Sequence, residues 1–319
     1  MTGSRHLWAA LAAFSVVAAV LPATASATYP GANGRIAFTG SLPGRPGHHI
    51  YSVLPSGHGL VQLTHEDADD FNPSWSPDGT QIAFERETPL GGGDEQTELF
   101  VMNADGTDQT KITFDGRSYG SPSFAPNGRR VIYGQRVLRH GALVSVRRDG
   151  TDPRVIVRGQ VGDPVYSPDG HWIAFVGLPE GATGRGGLWL IHPNRSGLRR
   201  LTAPDLDHFD IRPDWSPDGS RIHFQRCDFS QYGCLPAPYL IRTDGAGLHS
   251  AAEASEVFAP SGGRFAGVTR EGDGFGVYCE DVATVTTAGS AFNLTANCAD
   301  YDSGGQGGFA FDPNWQPLP

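Results

Sequence analysis

Along most of its length the chain alternates between short apolar runs and polar breaks of one recurring kind. Ile82-Ala83-Phe84 is apolar at three consecutive positions, and its counterparts are Val131-Ile132-Tyr133, Ile173-Ala174-Phe175 and Ile222-His223-Phe224. Runs of this sort, without polar alternation and rich in branched and aromatic residues, predict strands buried on both faces. The break before each run is Pro77-Asp78-Gly79, Pro126-Asn127-Gly128, Pro168-Asp169-Gly170 or Pro217-Asp218-Gly219. Pro fixes φ and Gly accepts the positive φ that closes a hairpin, so these are turns. Ahead of each turn stands an aromatic strand, such as Asn72-Pro73-Ser74-Trp75, whose Pro limits ladder pairing. A third strand follows, for example Leu99-Phe100-Val101-Met102 or Leu188-Trp189-Leu190-Ile191, then a turn at Asp105-Gly106 or Asp149-Gly150. A fourth, outer strand is expected to end in Leu63-Thr64, Ile112-Thr113, Leu201-Thr202 or Leu294-Thr295. No helical period of 3.6 residues is found beyond residue 27.

The aromatic position of the repeat is Trp75, Phe124, Tyr166, Trp215, Phe258 and Trp315, spaced 42 to 57 residues apart. A unit of about 40–50 residues made of four short strands has the period of a propeller blade. The fifth copy is worn, Phe258-Ala259-Pro260-Ser261-Gly262 then Phe265-Ala266-Gly267, and the last is a half copy from Asp312 to Pro317. Near the other end, Asn33-Gly34-Arg35-Ile36-Ala37-Phe38 is a turn and second strand without an aromatic first strand. Joining the two halves completes a unit and removes an open sheet edge. The expectation is an all-β fold over residues 28–319. It is a six-bladed β-propeller of four-stranded antiparallel blades, closed by pairing the C-terminal strand with the N-terminal blade.

The phrase Trp75-Ser76-Pro77-Asp78-Gly79 with Ile82-Ala83-Phe84, followed by Leu99 to Gly106 and a closing Leu-Thr, resembles the WD40-like PD40 repeat of TolB-type propellers. The resemblance implies an envelope or extracellular scaffold that binds other proteins through its channel mouth and faces. TolB itself carries a preceding α/β domain, for which residues 28–32 leave no room, so a role in the Tol–Pal system is not implied.

Residues 1–27 follow a different pattern. Arg5 precedes an apolar stretch from Leu7 to Leu21, and Ala25-Ser26-Ala27 fits a small-x-small cleavage site. The stretch is shorter than the ~20 residues a membrane-spanning helix needs, so the segment reads as a signal peptide. The protein is then secreted, extracellular or periplasmic, with no membrane insertion. Its net charge of −10 argues against nucleic acid, which is bound mainly through Lys and Arg. Four cysteines in an exported chain favour two disulfides. Of the three pairings, Cys227–Cys234 and Cys279–Cys298 keep each bridge within a local hairpin, and the C-x-x-C spacing of a metal site is absent.

Two motif matches lose their chemistry in context. Gly116-Arg117-Ser118-Tyr119-Gly120 fits the G-x-S-x-G elbow, which needs a strand–turn–helix setting. Asn103 to Asp108 looks like a calcium loop but lacks its bidentate Glu and flanking helices. Asp78, Asp169 and Asp218 recur with the turn and are assigned to it, as the aromatic positions are to packing between units. More informative are the loops leading into each first strand. Three residues before the aromatic stand Asn72, Ser121, Asp163, Arg212, Ser255 and Asp312, and five before stand Asp70, Tyr119, Val161, Asp210, Glu253 and Ala310. On the expected fold they ring one end of the channel. Two of these loops are acidic, His65 to Asp70 and Asp205 to Asp210, and Asp300-Tyr301-Asp302 precedes the last half copy.

The candidate ligand-binding mouth is therefore Asp70, Asn72, Asp163, His208, Asp210, Arg212 and Asp312. It would draw a protein segment or a small cationic ligand by field focusing. His65, Asp67, Asp207 and His208 are candidate ligands for a divalent cation, and no resident cofactor is expected. The expected protein is a monomeric, non-catalytic binding or scaffold module. The alternative is a propeller enzyme of the polysaccharide lyase or hydrolase type, with a metal or His/carboxylate site at the channel.

Overall fold

The computed structural model describes residues 32–41, 47–91, 94–114, 118–137, 140–204, 208–230, 233–251, 257–261, 264–273, 276–286, 291–295 and 309–318. All regular structure among them is strand, and every strand pairing is antiparallel. β1 (Ala32–Ser41), β2 (His49–Val53) and β3 (Val61–Gln62) succeed one another in the first sheet. β4 (Asp69–Trp75), β5 (Gln81–Gly91), β6 (Asp94–Asn103) and β7 (Thr110–Lys111) form the second. The third has seven strands. It runs from β8 (Ser118–Phe124) through β9 (Arg130–Val137), β10 (His140–Arg147) and β11 (Arg154–Tyr166) to β12 (Ile173–Pro179), β13 (Gly187–Ile191) and β14 (Arg199–Arg200). The fourth holds β15 (His208–Trp215), β16 (Arg221–Ser230), β17 (Gly233–Arg242) and β18 (His249–Ser250). The fifth holds β19 (Val257–Phe258), β20 (Arg264–Asp273), β21 (Gly276–Thr286) and β22 (Ala291–Asn293). β23 (Phe309–Leu318) returns to the first sheet, where Trp315 lies opposite Ile36 and Ala310 opposite Gly40.

Alternation along each second strand sorts side chains by size. Ile82 and Phe84 join Trp75 and Met102 against Ala37, Ile50 and Leu63 of the preceding sheet. Ala83 faces the other way, into a cluster with Phe124, Val131 and Tyr133 of the next. The same exchange places Ala174 against Trp215, Ile222 and Phe224, and Ile36 and Phe38 against Ala259, Ala266 and Val282. Large residues of one sheet thus fill the space left by small residues of its neighbour. Trp75 and Trp215 are each 1% exposed, as expected of packing residues. Side-chain bonds cross the same seams: Asn314 Oδ1 accepts the Trp75 N–H at 2.9 Å, and Asp214 Oδ2 accepts the Phe258 N–H at 2.8 Å. At the turn, Gly79 has φ 66°, and a Cβ there would lie 2.3 Å from the Pro317 carbonyl oxygen. The aromatic strands touch in succession: β23 with β4, β4 with β8, β8 with β11, β11 with β15, β15 with β19, and β19 with β23.

Two features differ from the sequence expectation. The Leu-Thr pairs do not end the outer strands but lie just beyond β3, β7, β14 and β22. There the Thr hydroxyl accepts a third-strand N–H: Thr64 from Ile50 (2.9 Å), Thr113 from Leu99 (2.9 Å), Thr202 from Leu188 (2.8 Å) and Thr295 from Val282 (3.1 Å). The pair latches the outer edge to the strand beside it. Secondly, β11 serves two units. Residues 154–158 pair with β10 as an outer strand, and residues 159–166 pair with β12 as the next first strand. This segment has no Leu-Thr, and its aromatic spacing of 42 residues is the shortest, leaving no loop between the two roles.

Cys227 is fully buried on β16 and disulfide-bonded. Across that hairpin Cys227 lies opposite Pro236 and Cys234 opposite Phe229. The leader, Cys298, Asp207 and the acidic segment 300–302 lie outside the described residues.

Candidate binding mouth at the strand crossings

Four described first strands, β4, β8, β11 and β15, carry a bulge at the residue three before the aromatic. The ladder slips between Phe71 and Ser74, Gly120 and Ser123, Gly162 and Val165, and Ile211 and Asp214. Inside these slips Asn72, Ser121, Asp163 and Arg212 take φ of 51°, 53°, 47° and 50°. The next residue is Pro in every case, which has no N–H for the ladder and disfavours the helical region in its predecessor. A left-handed conformation costs a non-glycine residue about 1–2 kcal/mol, so four in register mark a built feature.

The strain is offset by bonds between sheets. The Asn72 N–H donates to Thr39 Oγ1 at 3.2 Å, the Ser121 N–H to Glu85 Oε1, and the Arg212 N–H to Asp163 Oδ2 at 3.0 Å. Asn72 Nδ2 also donates to Glu85 Oε1 at 2.6 Å, and Ser121 Oγ to Asp163 Oδ1 at 2.8 Å. Two carboxylates, Glu85 and Asp163, therefore tie four successive bulges, at Asn72, Ser121, Asp163 and Arg212, into one hydrogen-bonded arc. Glu85 was not singled out from sequence. Its signal lies in the position after Ile-Ala-Phe, which reads Thr39, Glu85, Gly134, Val176 and Gln225 along the repeat.

Asp70 and Asp210 have another role. Both are buried, and each takes a two-pronged ion pair from an arginine on the adjacent second strand. Arg86 donates to Asp70 at 2.7 and 2.9 Å, and Arg226 to Asp210 at 2.7 and 3.2 Å. Arg86 lies over the rings of Phe84 and Phe100, and Arg226 over Phe224 and Tyr239. Thr202 Oγ1 donates to Asp210 as well. Their charge is offset inside the protein, so they brace the start of β4 and β15. Asp163 is half-buried, and the two partners named above are a hydroxyl and an N–H rather than a cation.

The remaining predicted residues are less gathered. His208 opens β15, half-buried and opposite Asp228, while Asp312 lies on β23 with its side chain outside the described set. His65 and Asp67 are exposed in the loop before β4. Among the described residues no group of three or more His, Cys, Asp or Glu is placed to hold a metal ion. Ser118 begins β8 opposite Arg136, an antiparallel strand rather than a nucleophile elbow. Asp78, Asp169 and Asp218 serve their turns: Asp78 Oδ1 accepts Ser76 Oγ, Thr80 Oγ1 and the Thr80 N–H, and Asp218 is held the same way by Ser216 and Ser220. Burial opposes their charge, but these bonds more than offset it and hold all three carboxyls below the usual range.

Residues 13–160 match the family described as PD40, TolB beta propeller domain. The chain is 26% identical over 191 residues to an uncharacterized protein of Agrobacterium fabrum, covering 54% of this chain and 60% of that protein. It is 31% identical over 118 residues to dipeptidyl-peptidase 5 of Porphyromonas endodontalis, covering 35% of this chain and 17% of that one. With the uncharacterized peptidase YuxL of Bacillus subtilis it shares 29% over 168 residues, 52% of this chain and 23% of that one. It thus spans less than two thirds of the length of each relative. Among solved structures it is similar to TolB from Acinetobacter baumannii (TM-score 0.69, 17% identity, 89% of this chain and 67% of that chain). It is also similar to oligogalacturonate lyase from Vibrio parahaemolyticus (TM-score 0.54, 15% identity, 86% and 79%). At these identities the likeness is one of fold. Repeat, sheet order and family match agree: residues 13–160 match the TolB beta propeller family of PD40 repeats, and the fold of the chain is similar to that of TolB.

Proposed function

We propose that the protein is an exported, non-catalytic binding module. It takes a protein segment or small cationic ligand at the mouth formed by Asn72, Ser121, Asp163 and Arg212, with His208 and Asp312 beside them. The observation that carries this reading is the arc of left-handed bulges bridged by Glu85 and Asp163. A rigid set of polar groups at the crossing from sheet to sheet is preorganised for a ligand.

The reading rests on six blades closed into a ring. In support, β23 pairs with β1, the aromatic strands touch in an unbroken succession, and β11 counts as a member of two units. Export is supported by the apolar stretch from Leu7 to Leu21 and by the bonded Cys227, with Cys234 the proposed partner on the same hairpin. A second pair, Cys279–Cys298, completes the proposal. No described helix is long and apolar enough to cross a membrane.

The test is capture of partners from the source organism's extracellular fraction by the mature protein and by an Asp163→Asn/Arg212→Gln variant. Loss of one or more partners with the variant is expected, and identical recoveries would overturn the mouth. A second reading, an enzyme with a divalent cation at the channel, draws on the peptidase relatives and the lyase fold. A stoichiometric, chelator-sensitive metal in the purified protein would favour it.

A further inference from the structure

Charge is unevenly spread along the chain. Residues 129–200 hold 12 of its 24 Lys and Arg but only 5 of its 34 Asp and Glu, a basic district in an acidic protein. Its densest point is one end of β9, β10 and β11. Arg147 stands opposite Arg130, and Ser145 opposite Arg154, so arginines occupy three adjacent strands about 4.8 Å apart. Like charges side by side are unfavourable unless something holds them.

Asp152 does so. Its Oδ2 lies 3.0 Å from Arg130 Nη1, 2.7 Å from Arg154 Nη2 and 3.7 Å from Arg147 Nε. Arg130 is anchored further by Ser145 Oγ and by the Ser145 and Asp152 carbonyls, and its side chain is 18% exposed. Arg147 and Arg154 are 57% and 61% exposed. One carboxylate thus positions three guanidiniums without neutralising them. Arg129 and Arg148, joined by the Arg148 N–H to the Arg129 carbonyl at 3.2 Å, extend the row, against the single further acid Asp149.

We propose that this end of the third sheet is a second binding surface, apart from the mouth, that takes an acidic segment of a protein partner. The cluster already holds one peptide carboxylate in Asp152, and guanidinium forks match carboxylates in shape. The positive groups form a row across three strands, which fits a run of Asp and Glu better than one compact ion. The matching turn of the second sheet carries Asp105, whereas the matching turn between β13 and β14 carries Arg195, so the positive row meets acid on one side only. A short flexible acidic segment touches the basic end alone.

The experiment is a titration of a labelled ten-residue glutamate peptide with the mature chain, followed by fluorescence anisotropy at 50 and 200 mM salt. Saturable binding that weakens with salt is expected. It should fall about tenfold in Arg147→Glu/Arg154→Glu, severalfold in Arg147→Gln/Arg154→Gln, and not at all in Arg185→Gln, an exposed arginine elsewhere in the district. Should the charge-reversed pair fail to fold, the glutamine pair decides. Absence of saturable binding by the unmodified chain overturns the proposal. So does unchanged binding by the variants, or equal affinity of the same surface for a polyuronate, a single-stranded oligonucleotide or anionic vesicles.

Discussion

The turn aspartates show how a single side chain links sequence to stability. Asp78, Asp169 and Asp218 have carboxyls held below their unfolded value, so each contributes stability above the unfolded pKa near 4 that is lost as pH falls through the lower folded value. Thermal unfolding followed from pH 6 to pH 2 should show a drop beginning below about pH 5. The triple variant Asp78→Asn/Asp169→Asn/Asp218→Asn should melt lower at neutral pH and show a shallower acid drop. The Leu-Thr latch offers a second test. Thr202→Val keeps the volume but leaves the buried Leu188 N–H without its acceptor, and about 1–3 kcal/mol should be lost in urea unfolding. Thr202 also donates to Asp210, so both the acceptor and the donor side of its hydroxyl are lost in this variant.

Among the elements, the bulged first strand is where local backbone and site meet. Ser121 has φ 53°, and a β-branched residue is poorly tolerated there, so Ser121→Val should destabilise by about 1–2 kcal/mol or more. Ser121→Gly should relieve backbone strain and isolate the loss of the bond to Asp163. Urea midpoints of the two variants separate these effects. How far such a strand can be read from sequence depends on what each residue needs. The hairpins were legible because Pro-Asp-Gly and Ile-Ala-Phe carry their conformation locally. The Pro after each bulge announced interrupted pairing but not the positive φ, which depends on acceptors in the neighbouring sheet. The acidic character of Asp70 and Asp210 suggested a charged mouth, yet each has an arginine sixteen residues on, at the same place in the repeat. That spacing was readable, and it assigns both carboxylates to internal pairs. Asp70→Asn/Asp210→Asn should lower the melting temperature without selectively removing a partner at the mouth.

At the scale of the whole molecule, the cluster of Ile36, Phe38, Tyr51 and Val53 with Ala259, Ala266, Val282 and Trp315 joins the first and last sheets. Trp315 is 3% exposed, so Trp315→Ala should cost about 3–5 kcal/mol. A chain ending at residue 308 would lack β23 and leave β1 with an unpaired edge, and size-exclusion chromatography should show it aggregating. The pairing of β23 with β1 was legible because the half copy from Asp312 to Pro317 supplies the aromatic strand that the turn and strand at Asn33 to Phe38 lack. The doubled role of β11 was not, since the turn signals that separate other units are simply missing there.

That continuous strand also has a consequence for motion. Sheets joined by loops can open one at a time, whereas β8 to β14 belong to one hydrogen-bonded sheet that is continuous through β11. Their backbone amides should trade hydrogen for deuterium as one cooperative block, slower than those flanking it. The molecule would then have a stiff quadrant about which the rest breathes.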